Sequence, residues 1–88
     1  MGTQVDFTVN IFPNPAHDIA VLNVNMVKSG MMMIQILDAS GKSVITKSAN
    51  AAKGGNTQQL DIQNLQPGTY FVKVISGDQV KTTRLVIK

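Results

Sequence analysis

The sequence predicts an all-β fold, with seven short strands packed as an antiparallel two-layer sandwich. Three observations point there. Apolar residues alternate with polar ones in short runs, as at Phe7, Val9, Ile11 and again at Met32, Ile34, Ile36. Gly-, Asn- and Pro-containing turns separate those runs at regular intervals. No stretch longer than about ten residues carries helical periodicity.

Each element follows from local chemistry. The first strand runs through Phe7, Val9 and Ile11, with Thr8 and Asn10 on the other face. Pro13-Asn14-Pro15 ends it, because proline cannot donate to a ladder and pushes its predecessor toward extended conformations. The second strand covers Ile19 to about Met26, with Ala20, Leu22, Val24 and Met26 on one face and Asn23 and Asn25 on the wet one. Ser29-Gly30 predicts a tight hairpin. Met31 to Leu37 forms the third strand, then Asp38-Ala39-Ser40-Gly41 turns, with Asp38 accepting from nearby amides and Gly41 at positive φ. Lys42 to Lys47 is a short fourth strand around Val44, and the small, polar stretch Ser48 to Asn56 reads as a loop. Gln58 to Ile62 is the fifth strand, with Leu60 and Ile62 inward. Thr69 to Ile75 is the sixth, with Tyr70, Val72 and Val74 on one face. Ser76-Gly77-Asp78 turns the chain into a last strand, Gln79 to Lys88.

Composition narrows the chemistry. The 88 residues give room for one domain and one small core, not for a core plus a deep cleft. There is no Cys, so disulfides, thiol nucleophiles and zinc–thiolate sites are excluded. Charged residues are only 15%, and the net charge is +3. The cations are spread without a run, and aromatics are only 5%, so no nucleic-acid partner is expected. No stretch reaches the roughly 18 apolar residues of a membrane helix, and no apolar segment follows Met1 as a leader. Met1 to Asp6 is expected to be an added start or a linker, and residues 7–88 the single domain.

Between two strands lies Leu65-Gln66-Pro67-Gly68-Thr69-Tyr70. Pro67-Gly68 fits the centre of a type II turn, and Leu65 can plug the end of the sandwich. Tyr70 then enters the next strand facing inward. In immunoglobulin-like Greek-key sandwiches a tyrosine so placed packs its ring in the core and bonds its hydroxyl to upstream backbone. Leu65, Pro67, Gly68 and Tyr70 therefore form a structural corner.

Candidate catalytic and metal-binding residues are few. His17 is the only histidine, stands beside Asp18, and reads as a solvated turn residue. Neither a Gly-x-Ser-x-Gly elbow nor a His-Glu-x-x-His pair is present, and the five Asp form no calcium loop. Lys53-Gly54-Gly55 lacks the ending of a phosphate loop. Met31 and Met33 share a face and could offer two thioethers to Cu(I), but no third soft ligand is identifiable; Met32 reads as core. Phe12 and Phe71 are outward aromatics of the sort that a carbohydrate-binding face uses. No enzymatic activity, cofactor or metal is expected.

Five segments carry a resemblance. They are Phe12-Pro13-Asn14-Pro15-Ala16; Ile36-Leu37-Asp38-Ala39-Ser40-Gly41-Lys42; Leu60-Asp61-Ile62; Leu65-Gln66-Pro67-Gly68-Thr69-Tyr70-Phe71-Val72-Lys73-Val74; and Arg84-Leu85-Val86-Ile87-Lys88. In this order, from about Ile11 to Lys88, they resemble the C-terminal sorting domain (type A) of cargo proteins of the type IX secretion system of Bacteroidetes. The tri-Met stretch departs from the β-branched residues expected there. The resemblance implies a seven-stranded immunoglobulin-like sandwich at the end of a larger protein, without catalysis. It implies that an N-terminal cargo domain crosses the inner membrane by a signal peptide upstream and transits the periplasm. The outer-membrane translocon and its shuttle proteins would then deliver it to the cell surface or beyond. It further implies removal by a sortase-like surface protease and attachment of the mature cargo to lipopolysaccharide. By position, the terminal signal maps onto Gly68, Tyr70 and the last strand, Lys81 to Lys88, with Lys81, Arg84, Leu85, Val86, Ile87 and Lys88 as its expected recognition residues.

The apolar run Leu85-Val86-Ile87 exceeds what one half-buried face explains. Two readings stay open: burial of both faces, or an edge strand that recruits a partner strand. Pairing of two copies through an exposed edge is also left open. The competing function is an accessory carbohydrate-binding or adhesion module of a secreted enzyme.

Overall fold

The structure is a computed structural model of the chain that describes residues 7–77 and 79–88. The expected start or linker at 1–6, and Asp78 of the last turn, lie outside the described residues. Seven strands follow one another: β1 (Thr8–Phe12), β2 (Ile19–Met26), β3 (Gly30–Leu37), β4 (Ser43–Ala51), β5 (Gly54–Asp61), β6 (Gly68–Ser76) and β7 (Gln79–Ile87). They form a three-stranded sheet, ordered β1-β2-β5, and a four-stranded sheet, ordered β4-β3-β6-β7. Every strand pairing within them is antiparallel, and no helix occurs among the described residues.

The alternation explains the core. Ala20, Leu22 and Val24 of β2 face Met32, Ile34 and Ile36 of β3 and Val72 and Val74 of β6, all essentially inaccessible to water. Leu85 and Ile87 of β7 join them. No polar side chain is buried among the described residues, so removal of apolar surface from water holds the two layers together. Met32 is fully buried while Met31 is 61% exposed, as the period of two requires.

Three expectations need correction. Ser29-Gly30 closes no hairpin, because β2 and β3 lie in different sheets. Both sides of β2 are taken by β1 and β5, so its continuation can bury an apolar face only by crossing to the opposite layer. The expected loop Ser48 to Asn56 is also mostly strand. β4 continues to Ala51, and β5 starts at Gly54. The short crossover between the sheets is stitched by Asn56, whose Nδ2 donates to the carbonyls of Ala52 (2.7 Å) and Gly54 (3.1 Å) and whose Oδ1 accepts from the Ala52 amide (2.9 Å). β4 is an edge strand with little buried surface, so it carries no apolar alternation to reveal it.

The third correction concerns the corner. The turn is closed upstream of Pro67-Gly68, by the Leu65 amide donating to the Ile62 carbonyl at 3.0 Å. Gly68 has φ 157°, far from the roughly +80° of a type II turn, and already pairs in β6. Tyr70 and Leu65 pack beside this turn. Tyr70 is buried, its hydroxyl donates to the Gln66 carbonyl at 2.7 Å, and Leu65 packs half-buried against the core.

The Asp38 turn stands. Gly41 has φ 91°, and Asp38 Oδ1 accepts from the Ser40 amide (3.0 Å), the Ser40 hydroxyl (2.7 Å) and the Lys42 amide (2.9 Å). Those donors stabilise the ionised carboxylate. The Ser40 hydroxyl first, and the Lys42 amide next, hold its pKa below the usual aspartate value.

Candidate recognition site at the terminal strand

β7 forms one edge of the four-stranded sheet, and β6 lies beside it. The register sets Leu85 opposite Tyr70 and Ile87 opposite Gly68. A Cβ added to Gly68 would sit 3.9 Å from Tyr70 Cε1, so the glycine lies against the ring. Gly68, Tyr70, Leu85 and Ile87 thus meet at one end of the sandwich. Lys81 lies apart from them, opposite Val74, about four strand residues or roughly 13 Å from Leu85. Leu85 and Ile87 point inward, Val86 is half-buried on the outer face, and Arg84 and Lys88 are exposed.

The expected edge is only partly open. The segment after β1 comes back alongside the end of β7. The Ala16 amide donates to the Val86 carbonyl at 2.7 Å, and the Lys88 amide donates to the Ala16 carbonyl at 3.0 Å, forming a parallel bridge. Beside it, Asn14 Oδ1 accepts from the Val86 amide and Asn14 Nδ2 donates to the Arg84 carbonyl, both at 2.9 Å. The side-chain amide therefore acts as one more peptide group in the ladder. Its orientation follows from its partners, an N–H on one side and a carbonyl on the other. His17 Nδ1 lies 3.0 Å from the Lys88 main-chain oxygen. Sequence reasoning gave Asn14, Ala16 and His17 no part in this site. The only signal was that Phe12–Ala16 and Arg84–Lys88 both belong to the resembling segments.

All five of those segments converge on this end of the molecule. The strap of residues 13–17 lies on β7. Leu37, just before the Asp38 turn, pairs with Phe71 of β6. Asp61 pairs with Ile19, and the Ile62 amide donates to the Asp18 carbonyl at 2.9 Å. The opposite end holds the connections at 27–29 and 52–53 and the turn at Gly77, to which no motif maps.

This convergence gives the sequence motifs a common physical setting, and comparison with known families decides what it means. Residues 10–88 match the family described as secretion system C-terminal sorting domain. The chain belongs to that family. No curated protein matches the sequence. Sorting domains of this family serve the type IX secretion system: they are attached to a cargo protein, interact with the secretion machinery, and direct export toward the cell surface or the extracellular space. The family is in general non-catalytic.

Other features of this sorting domain carry less chemistry. His17 is exposed, and no group of three or more His, Cys, Asp or Glu side chains is gathered among the described residues. Phe12 and Phe71 do not share a platform. Phe12 is on β1 of the three-stranded sheet, and Phe71 is on the outer face of the four-stranded one, between Leu37 and Arg84. The outer face of the three-stranded sheet holds an open depression of about 410 Å³. Thr8, Asn10, Asn23, Asn25, Asn56 and Thr57 line it together with Val24 and Gly55, and no charged residue does.

Proposed function

We propose that residues 7–88 form a single sorting unit that carries a larger N-terminal cargo through the outer-membrane type IX translocon. In this reading the translocon and its shuttle proteins read the end of β7, Arg84 to Lys88, together with Gly68 and Tyr70. The observation that carries it is the convergence of all five family segments on the end where β7 finishes, although they are spread from Phe12 to Lys88. Recognition imposes such a cluster, whereas a merely stable sandwich needs none. The strand orders β1-β2-β5 and β4-β3-β6-β7, with the Tyr70 corner, support an immunoglobulin-like Greek key. A sortase-like protease then removes the domain at the surface.

The test is a fusion of residues 7–88 behind a signal peptide and a fluorescent reporter, in a host with the secretion system. Surface fluorescence is expected for the intact domain. Deletion of Leu85 to Lys88 should abolish it. Deletion also removes core residues, so Arg84→Glu with Lys88→Glu serves as a second variant, both positions being exposed. Unchanged delivery by this folded double variant removes β7 from recognition.

A second reading is a glycan-binding module of a secreted enzyme. The uncharged depression favours it, because the amides of Asn10, Asn23 and Asn25 and the hydroxyls of Thr8 and Thr57 offer donors and acceptors to sugar hydroxyls beside Val24 and Gly55. It lies on the sheet opposite Phe71, so Asn23→Ala, not a Phe71 substitution, should abolish binding on a glycan array.

A further inference from the structure

Both main-chain groups of Lys88 are held by the strap. In a strand the N–H and C=O of one residue point to the same side, and the side alternates along the chain. Val86 and Lys88 direct theirs at the strap, so those of Ile87, which pairs with Gly68, face β6. The pair Gly68 and Ile87 is the last between β6 and β7, and β6 therefore offers Lys88 no partner. The strap supplies two. The Ala16 carbonyl accepts the Lys88 amide at 3.0 Å, and His17 Nδ1 lies 3.0 Å from the Lys88 main-chain oxygen. That oxygen can only accept, so Nδ1 carries the proton and donates. β1 lies against β7 and leads into the strap, and Ala16 is 1% exposed, so the strap's backbone is anchored without His17. His17 and Lys88 themselves are exposed. The imidazole thus closes the ladder from outside, at the residue where pairing with β6 has ended.

We propose that His17 is a positioning residue for sorting: its imidazole donor holds Lys88 extended, in line with Arg84 and Val86, before the secretion machinery binds. This rests on the reading of the end of β7 as the recognised element and adds to it a residue that the machinery need not touch. Alternation places Arg84, Val86 and Lys88 on one face. Arg84 and Val86 are fixed there by β6, opposite Phe71 and Thr69. Lys88 has no such pairing, so its place in the row depends on the strap. Without the His17 donor, Lys88 has to be ordered on binding, and fixing the backbone of one residue weakens an affinity by roughly tenfold. The required chemistry is a hydrogen-bond donor, not a charge or a ring. Asparagine meets it, because its Nδ2 stands as many bonds from the backbone as Nδ1 of histidine. Aspartate presents only acceptors to an oxygen and fails.

The test compares His17→Ala, His17→Asp and His17→Asn, in the whole 88-residue chain by NMR and in the reporter fusion by delivery. The order parameter of the Lys88 amide should fall from about 0.8 to below about 0.6 in the alanine and aspartate variants and stay at the parent's value in the asparagine variant. Val86 should not change in any of them, since Asn14 holds its amide. In a host with the secretion system, the alanine and aspartate fusions should lose most of their surface fluorescence, and the asparagine fusion should keep it. Ile34→Val, a small deletion in the core at the middle of β3, controls for stability and should be delivered like the parent. Delivery that follows the urea midpoint across these four variants, rather than the donor, overturns the proposal. An unchanged Lys88 order parameter in His17→Ala overturns it, as does normal delivery of His17→Asp. Loss of delivery in all three His17 variants makes the ring itself the recognised group and overturns the positioning role. If the His17 variants are delivered while Arg84→Glu with Lys88→Glu is not, the role of His17 falls and the sorting reading stands; delivery of that double variant as well removes the reading itself.

Discussion

Asn14 Oδ1 accepts the Val86 amide at 2.9 Å across 72 positions of sequence, and the same side chain donates back to the Arg84 carbonyl. One amide thereby holds the segment after β1 to the end of β7. Asn14→Ala loses both hydrogen bonds at an exposed site, and unfolding in urea should show a loss of about 1–2 kcal/mol. Asn14→Asp keeps an acceptor but places a carboxylate against the Arg84 carbonyl, so it should be no more stable than the alanine variant. A wild-type midpoint for the aspartate variant contradicts the two-way pairing.

Tyr70 tests the corner. Its hydroxyl donates to the Gln66 carbonyl at 2.7 Å, and its ring lies against Gly68. Tyr70→Phe keeps the ring and leaves that carbonyl without its partner. The expected cost is roughly 1 kcal/mol or somewhat more. Equal denaturation midpoints for the two proteins would discard the corner.

The three consecutive methionines should divide by face. Met32 is 0% exposed, so Met32→Ala should cost about 2–5 kcal/mol through lost burial and the cavity left behind. Met31→Thr and Met33→Thr change exposed positions and should stay within about 0.5 kcal/mol of the parent. Thermal unfolding of the three variants reads the contrast directly. Copper is expected to play no part, and titration with Cu(I) under reducing conditions should find no tight site.

Asp38 sets part of the acid sensitivity. Its folded pKa is lowered from 3.8, chiefly by the Ser40 hydroxyl and then by the Lys42 amide. A lowered folded pKa contributes stability that is fully present above the unfolded value. That contribution is lost as pH falls through the folded value. Asp38→Asn cannot titrate, so the advantage of the parent over the variant should shrink as pH drops below the aspartate range. A stability difference that stays constant between neutral pH and strong acid contradicts this.

Much of the fold is legible in the sequence, because strand faces are a local property. The inward sets Ala20-Leu22-Val24-Met26, Met32-Ile34-Ile36 and Tyr70-Val72-Val74 follow from alternation alone, and all are buried. β4 and the start of β5 were not legible. β4 and the start of β5 bury little and show no apolar period, so Ser48 to Asn56 resembles a loop. Ser29-Gly30 misleads for a related reason: a short turn is compatible with a hairpin or with a crossing between layers.

The candidate site divides along the same line. The inward faces of Leu85 and Ile87 are settled only by the structure, whereas the Tyr70 corner is readable from residue order. The strap is not. Asn14 is a polar residue between two prolines, and nothing local distinguishes a solvated amide from one that completes a distant ladder.

By itself the sequence determined the all-β class, the buried face of most strands and the family. Each depends on residues a few positions apart or on the order of short motifs. Only the tertiary structure decided which strand joins which sheet, and how much of the β7 edge stays open. Both sheets offer the same apolar face to the core, so alternation cannot choose between them. The choice comes from backbone pairing between segments far apart in the chain, as between Asn14 and Val86, which no local pattern encodes.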